Sequence, residues 1–279
     1  PTWHVKTLDD AKRIFKEQCE RTAALGYFDV YMLHSISNPS QYDTVYRKLG
    51  VLNFLKDMIA AGKIRRLGFS YHGTPGHFLK ILAAYDWDFC QIQYNYRDEN
   101  TQAGVTGLRA AAERGIPVVI MEPLRGGKLV SLLPEPAKKL MARNPRGWTP
   151  AEWAFRWLYN QPEVTVVLSG MNSLEMVEEN VRTASEARVG EFTDDDFFLI
   201  GDVVKEIQQR EKVGCTGCAY CMPCPQGVDI PTIFRCYNTM YTERKQAGRF
   251  QYVLSASFTQ NPAFATQCIG CGKCEKHCP

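Results

Sequence analysis

FDVYMLH, residues 28–34, is an apolar run of strand length that ends on a polar side chain, His34. Four further runs repeat the pattern: RRLGFS at 65–70, FCQIQYN at 89–95, PVVIMEP at 117–123 and VTVVLSG at 164–170. Apolar residues at helical spacing fill the intervals, over about 8–25, 44–61, 75–85, 102–114 and 150–160, with two more helices after the last run. Thr7, Ser173 and Thr193 supply N-caps, and Thr149-Pro150-Ala151-Glu152 is a capping box with Pro at the first helical position. Strand and helix in strict alternation predict a parallel sheet with right-handed crossovers. Near-continuous apolar strands predict burial on both faces.

Such an α/β sheet is either open and doubly wound or closed into a (β/α)8 barrel. No G-x-G-x-x-G stands at a strand-to-helix turn, which disfavours the open dinucleotide-binding sheet. Polar residues gather instead at the C-terminal strand ends: His34, Ser70, Gln91 with Asn95, Glu122 and Ser169. Barrel enzymes build their sites on that rim. A closed barrel has eight strands, and five are countable here after an opening helix. The first three strands are therefore expected upstream of Pro1, and the chain, which stops one residue after Cys278, is expected to be cut there too.

Composition narrows the function. With 279 residues, 45% hydrophobic and 23% charged, the chain is globular, with room for a large and a small domain. A net charge of +3 with no long basic run is poor support for nucleic-acid binding. No apolar stretch reaches the roughly 18 residues that would suggest a membrane span. Near Lys212 the composition turns to Cys, Gly and Pro, placing a domain boundary between 1–212 and 213–279.

Nine of the 11 cysteines lie in that second segment. A disulfide framework would suit a short secreted chain, and no signal-peptide pattern is present, so metal binding in a cytoplasmic, reducing setting is expected. Cys215, Cys218, Cys221 and Cys224 form C-x2-C-x2-C-x2-C-P. Cys268, Cys271, Cys274 and Cys278 form C-x2-C-x2-C-x3-C-P, the run of bacterial ferredoxins. Three thiolates at this spacing wrap a cubane corner, and the Cys before Pro ligates the other cluster. That rule gives one [4Fe–4S] cluster to Cys215, Cys218, Cys221 and Cys278, and the second to Cys268, Cys271, Cys274 and Cys224. The first run is one residue short before its last Cys, which loosens the crossed pairing. Zinc, with two C-x2-C pairs per ion, is the alternative. Cys19, Cys90 and Cys236 fall outside both runs and read as packing residues, and residues 226–267 read as mixed short helices and loops.

FDVYMLH, LGFSYHG, FCQIQYN and MEPLRGGKL, in this order, resemble the aldo/keto reductase family. The tail CTGCAYCMPCPQGVDIP resembles the subset carrying a C-terminal ferredoxin-like domain. The resemblance implies a (β/α)8 TIM barrel followed by a small, mainly helical iron–sulfur domain. It implies hydride transfer between NADP(H) and a small-molecule carbonyl or alcohol. Of the family's catalytic Tyr, Lys, His and Asp, only the His matches, at His34; the others belong upstream.

The resemblance also implies cofactor contacts. Ser70 and Gln91 match residues that hold the nicotinamide carboxamide, although the Asn that follows the Ser is Tyr71 here. Met121 stands where the family stacks a Tyr on nicotinamide. Pro123, Leu124, Gly126 and Lys128 match the loop over the pyrophosphate. Glu179 and Asn180 match the adenine contacts, but Gly170-Met171 and Met176 replace the groups that grip a 2′-phosphate, so NAD(H) stays open beside NADP(H). Two functions compete: an oxidoreductase with two [4Fe–4S] clusters, passing electrons to a redox partner protein or using the clusters structurally, and a non-catalytic electron-transfer or scaffold protein with a degenerate barrel.

Overall fold

The structure is a computed structural model and describes residues 5–22, 26–215, 221–257 and 263–278. Contacts divide the chain into two compact units, Pro1–Gly126 with Ala151–Phe192, and Gly127–Pro150 with Thr193–Pro279.

The first unit is built on a sheet of five parallel strands in sequence order: β1 Phe28–Ile36, β2 Ile64–Tyr71, β3 Phe89–Gln93, β4 Val118–Met121 and β5 Val164–Val167. Helices alternate with them: α1 Leu8–Arg21, α2 Val51–Ala60, α3 Pro75–Leu82, α4 Gly104–Glu113, α6 Pro150–Tyr159 and α7 Leu174–Glu186. The α/β alternation is thus as expected. Alternate strand residues point to opposite faces, and in β2 both sets are buried from Leu67 to Tyr71. Phe69 packs on Phe78 of α3 and on Trp87, with ring centroids 5.7 and 4.8 Å apart. Burying one such ring is worth about 2–3 kcal/mol.

The outer strands depart from two-faced burial: Val30 of β1 is 61% exposed and Val166 of β5 44%. These are the two edge strands, each paired with a single strand among the described residues. The helix expected over 44–61 is interrupted. A π-helical turn, Tyr42–Lys48, ends before Gly50, whose φ of +76° only glycine adopts cheaply, and α2 starts afresh at Val51. Helix α1 ends at Arg21, and residues 23–25 lie outside the described ones.

The second unit is helical. A short turn, Lys128–Ser131, precedes α5 Glu135–Arg143, which packs on α8 Asp194–Gln208. The expected helices do not include α5; Pro134 stands at its N-cap and Pro136 in its first turn, where proline fits a helix start. Thr193 caps α8 as expected, and the cap is a full capping box, with the Thr193 N–H donating to Asp196 and the Asp196 N–H to the Thr193 hydroxyl. Among the described residues, 226–267 hold two helices of 13 residues each, α9 Ile230–Thr242 and α10 Lys245–Ser257, longer than expected, and one short helical turn, Ala265–Gln267. They pack together through Gly248, where a Cβ would sit 2.5 Å from the Cys236 carbonyl oxygen. The last helix, α11 Lys273–His277, lies inside the second cysteine run. Among the described residues, no helix is long and apolar enough to cross a membrane.

Candidate active site and cluster cysteines

The C-terminal ends of the strands carry an unusual backbone. Four non-glycine residues have positive φ: Ser35 (57°), Gln102 (60°), Glu122 (56°) and Arg125 (50°), all in or after the ends of β1, β3 and β4. Each costs about 1–2 kcal/mol for an L-residue. Such strain persists where neighbours over-determine it, commonly at functional sites.

Ser35 shows how one is held. Leu33 pairs with Phe69 and Ile36 with Tyr71, so β1 carries one extra residue between them, a bulge spanning His34 and Ser35. The Ser35 N–H donates to Ser70 Oγ at 2.8 Å. His34 therefore lies at the bulge, two residues before the end of β1, and not at the strand end itself. Its side chain is exposed and its carbonyl accepts from the Tyr46 hydroxyl at 3.2 Å. Partial desolvation is the largest cause holding the imidazole below its ordinary pKa, and the positive charge of His72 is the smallest.

Ser70 is 2% exposed and stands in register with Gln91 on β3. Gln91 Nε2 lies 3.3 Å from the Met121 sulfur on β4. Three expected nicotinamide contacts thus line up across β2, β3 and β4. Beyond Met121, Pro123 is buried, Leu124 half-buried and Gly126 exposed with φ +66°. Asn180 Nδ2 donates to Ser169 Oγ at 3.0 Å, tying α7 to the segment after β5, and the Glu179 carbonyl accepts from Thr183. Lys128, in the second unit, is engaged: its Nζ lies 2.7 Å from Glu243, whose side chain is 3% exposed.

Of the cluster cysteines, Cys218 lies outside the described residues. Cys215, Cys224, Cys268, Cys271, Cys274 and Cys278 are free thiols, and Cys268, Cys271 and Cys278 are exposed; Cys221 is half-buried. Gly270 and Gly272 take φ of +67° and +68°, turning the backbone between the thiols as residues with a Cβ rarely do. Among the described residues, no three His, Cys, Asp or Glu side chains converge to hold one metal ion. A cubane takes its thiolates on separate irons, so its cysteines need not close on a point as zinc ligands do. In the second run, the unpaired Cys268, Cys271 and Cys274 flanked by left-handed Gly270 and Gly272 fit that donor set. Cys90 and Cys236 are 0% and 2% exposed, and burial pushes the Cys90 thiol up to about 12, as packing residues require.

The aldo/keto reductase family model matches residues 6–200. The chain belongs to the aldo/keto reductase family. A 4Fe-4S dicluster domain matches residues 214–279 of the same chain, so this aldo/keto reductase is of oxidoreductase lineage with an iron–sulfur domain attached. Solved structures give the same fold. An aldo-keto reductase from Bacillus halodurans in its holo form is 21% identical, with TM-score 0.55 over 71% of this chain and 65% of its own. One from Klebsiella pneumoniae in complex with NADP and acetate is 22% identical, with TM-score 0.56 over 72% and 67%. The chain thus spans about two thirds of the length of these structures. No curated protein sequence matches it.

In this aldo/keto reductase the rim holds a buried polar network in which the sequence singled out Asn95 and Glu122 but not Gln93, Asp98 or Arg125. Asp98 Oδ2 lies 2.7 Å from Arg125 Nε and accepts from Gln93 and Asn95 side-chain amides, each at 3.3 Å. Asn95 Oδ1 accepts from the Arg97 and Asp98 N–H groups, and its Nδ2 donates to the Glu122 carbonyl at 3.2 Å. Gln93, Asn95 and Asp98 are 2%, 0% and 9% exposed. The available signal was the N-x-x-D spacing of NYRD, which suits a side-chain-capped turn.

Proposed function

We propose that this chain is the nucleotide-binding and cluster-bearing part of an NAD(P)H-linked oxidoreductase that interconverts a small carbonyl compound and its alcohol. The alignment of Ser70, Gln91 and Met121 on adjacent strands carries the reading. When bound, a reduced nicotinamide supplies hydride, and [4Fe–4S] clusters pass single electrons. The residues divide the remaining work. Ser70 Oγ accepts from Ser35, which leaves its hydroxyl proton to donate to a carboxamide. Gln91 spends Nε2 on Met121, leaving Oε1 to accept. Met121 presents a polarizable apolar surface in place of a ring. His34, neutral at neutral pH because its pKa is lowered, offers one N–H to orient a carbonyl oxygen. Pro123, Leu124 and Gly126 form the loop for the pyrophosphate, and Glu179 with Asn180 meet adenine. Residues 1–212 form the barrel portion and 213–279 the cluster domain, in which Cys215, Cys218, Cys221, Cys224, Cys268, Cys271, Cys274 and Cys278 hold two clusters. A redox partner protein in the cytoplasm receives or supplies their electrons.

Anaerobic reconstitution of the full-length protein tests this. About eight irons per chain are expected, with NADPH or NADH binding that Ser70→Ala and Gln91→Ala weaken. A colourless protein with stoichiometric zinc refutes the clusters, and absence of nucleotide binding refutes the hydride chemistry. The second reading, a non-catalytic electron-transfer protein, is favoured by one observation: Lys128 is already engaged by Glu243.

A further inference from the structure

We infer that Asp98 is a positioning residue for the nucleotide: it fixes the loop 122–126 in the shape that binds the pyrophosphate. The inference rests on the proposed nicotinamide site and extends it to a residue outside that site.

The loop after β4 is bent at both ends, with Glu122 at φ 56° and Arg125 at φ 50°. Inside it, the Arg125 N–H closes a turn onto the Glu122 carbonyl at 3.1 Å. Neither residue takes this backbone readily, so something outside the loop has to hold it. The holding groups come from the loop after β3. Asp98 grips the Arg125 side chain at 2.7 Å, and Asn95 donates to the Glu122 carbonyl at 3.2 Å. Asp98 also orients Asn95, accepting from its amide while donating its own N–H to Asn95 Oδ1. Gln93, at the end of β3, donates to the same carboxylate, which anchors the assembly to the sheet. One buried carboxylate thus ties both strained loop residues to β3. Arg125 and Asp98 side chains are 19% and 12% exposed, so solvent screens the pair weakly. The loop is then preorganised before the nucleotide arrives, and binding does not have to order it.

The test uses the full-length, cluster-loaded protein with Asp98→Ala and the same-shaped Asp98→Asn. Amide hydrogen exchange is read at residues 124–126 without nucleotide, together with KM for the nicotinamide nucleotide and kcat at saturation. Asp98→Ala is expected to speed that exchange and to raise the nucleotide KM about tenfold each, with kcat within about twofold. Asp98→Asn, which keeps the shape and one acceptor, is expected to give about a third of that effect. If Asp98→Ala does not fold, Asp98→Asn decides. Wild-type exchange in the folded variants overturns the inference. Faster exchange with an unchanged nucleotide KM also overturns it, while leaving the proposed function standing. A wild-type protein that binds no nucleotide overturns the proposed function, and exchange still decides whether Asp98 holds the loop.

Discussion

Lys128 Nζ lies 2.7 Å from Glu243 Oε2, and the Glu243 side chain is 3% exposed while that of Lys128 is 28% exposed. A cation that the sequence assigns to a cofactor phosphate is thus the counter-charge of a buried carboxylate. Lys128→Ala should destabilise the protein by about 1–3 kcal/mol, less than for a fully buried pair because Lys128 is part-exposed. Urea denaturation measures this, and a nucleotide affinity that falls with unchanged stability would show the opposite role.

Desolvation is the main cause that holds His34 below its ordinary pKa, with the charge of His72 a small addition. By NMR titration His34 should protonate below the ordinary value of about 6.5, and His72→Gln should move its midpoint upward. A downward or absent movement would contradict the coupling.

Asp196 is held at the start of α8 by Arg146 at 2.6 Å and by Thr193. Burial alone would raise its carboxyl, but the Arg146 and Thr193 hydrogen bonds outweigh it and hold the pKa low. A depressed folded pKa means the contribution is complete above the unfolded value of about 3.9 and is lost as pH falls through the folded one. Asp196→Asn should cost about 2–3 kcal/mol at pH 7, and the difference from wild type should shrink at about pH 3 in urea melts.

Gly248 sits where α9 and α10 touch, with the Cys236 carbonyl 2.5 Å from where a Cβ would be. Gly248→Ala should force the helices apart and lower both iron content and thermal stability, by about 1–3 kcal/mol for overpacking. Cys236→Ala, by contrast, should keep about eight irons per chain, because Cys236 is 2% exposed and lies outside both runs, whereas Cys271→Ala should lose iron. Iron assays on the three variants check both outcomes.

The strands were legible because each is a short apolar run bounded by turn residues, and all five lie within a few residues of their expected places. Helices α5, α9 and α10 were harder. Two prolines, Pro134 and Pro136, stand at the start of α5, and the amphipathic pattern of 226–267 is obscured by polar residues that pack, such as Asn238, whose Oδ1 accepts from the Lys212 and Val213 N–H groups. At the rim, Ser70 and Gln91 could be picked out because polar residues at the ends of apolar strands stand out. Asp98 and Arg125 could not, since in sequence they are ordinary charged loop residues.

By itself the sequence determined the alternation of strand and helix, the family, and the eight thiols of the cluster runs. These depend on local periodicity and on spacing along one segment, which a linear pattern records. Only the tertiary structure decided that His34 sits on a bulge, that Lys128 belongs to Glu243, and that Asp98 clamps Arg125. Each of those pairs residues far apart in the chain, and their meeting depends on strand register and on which side chain reaches a buried partner first.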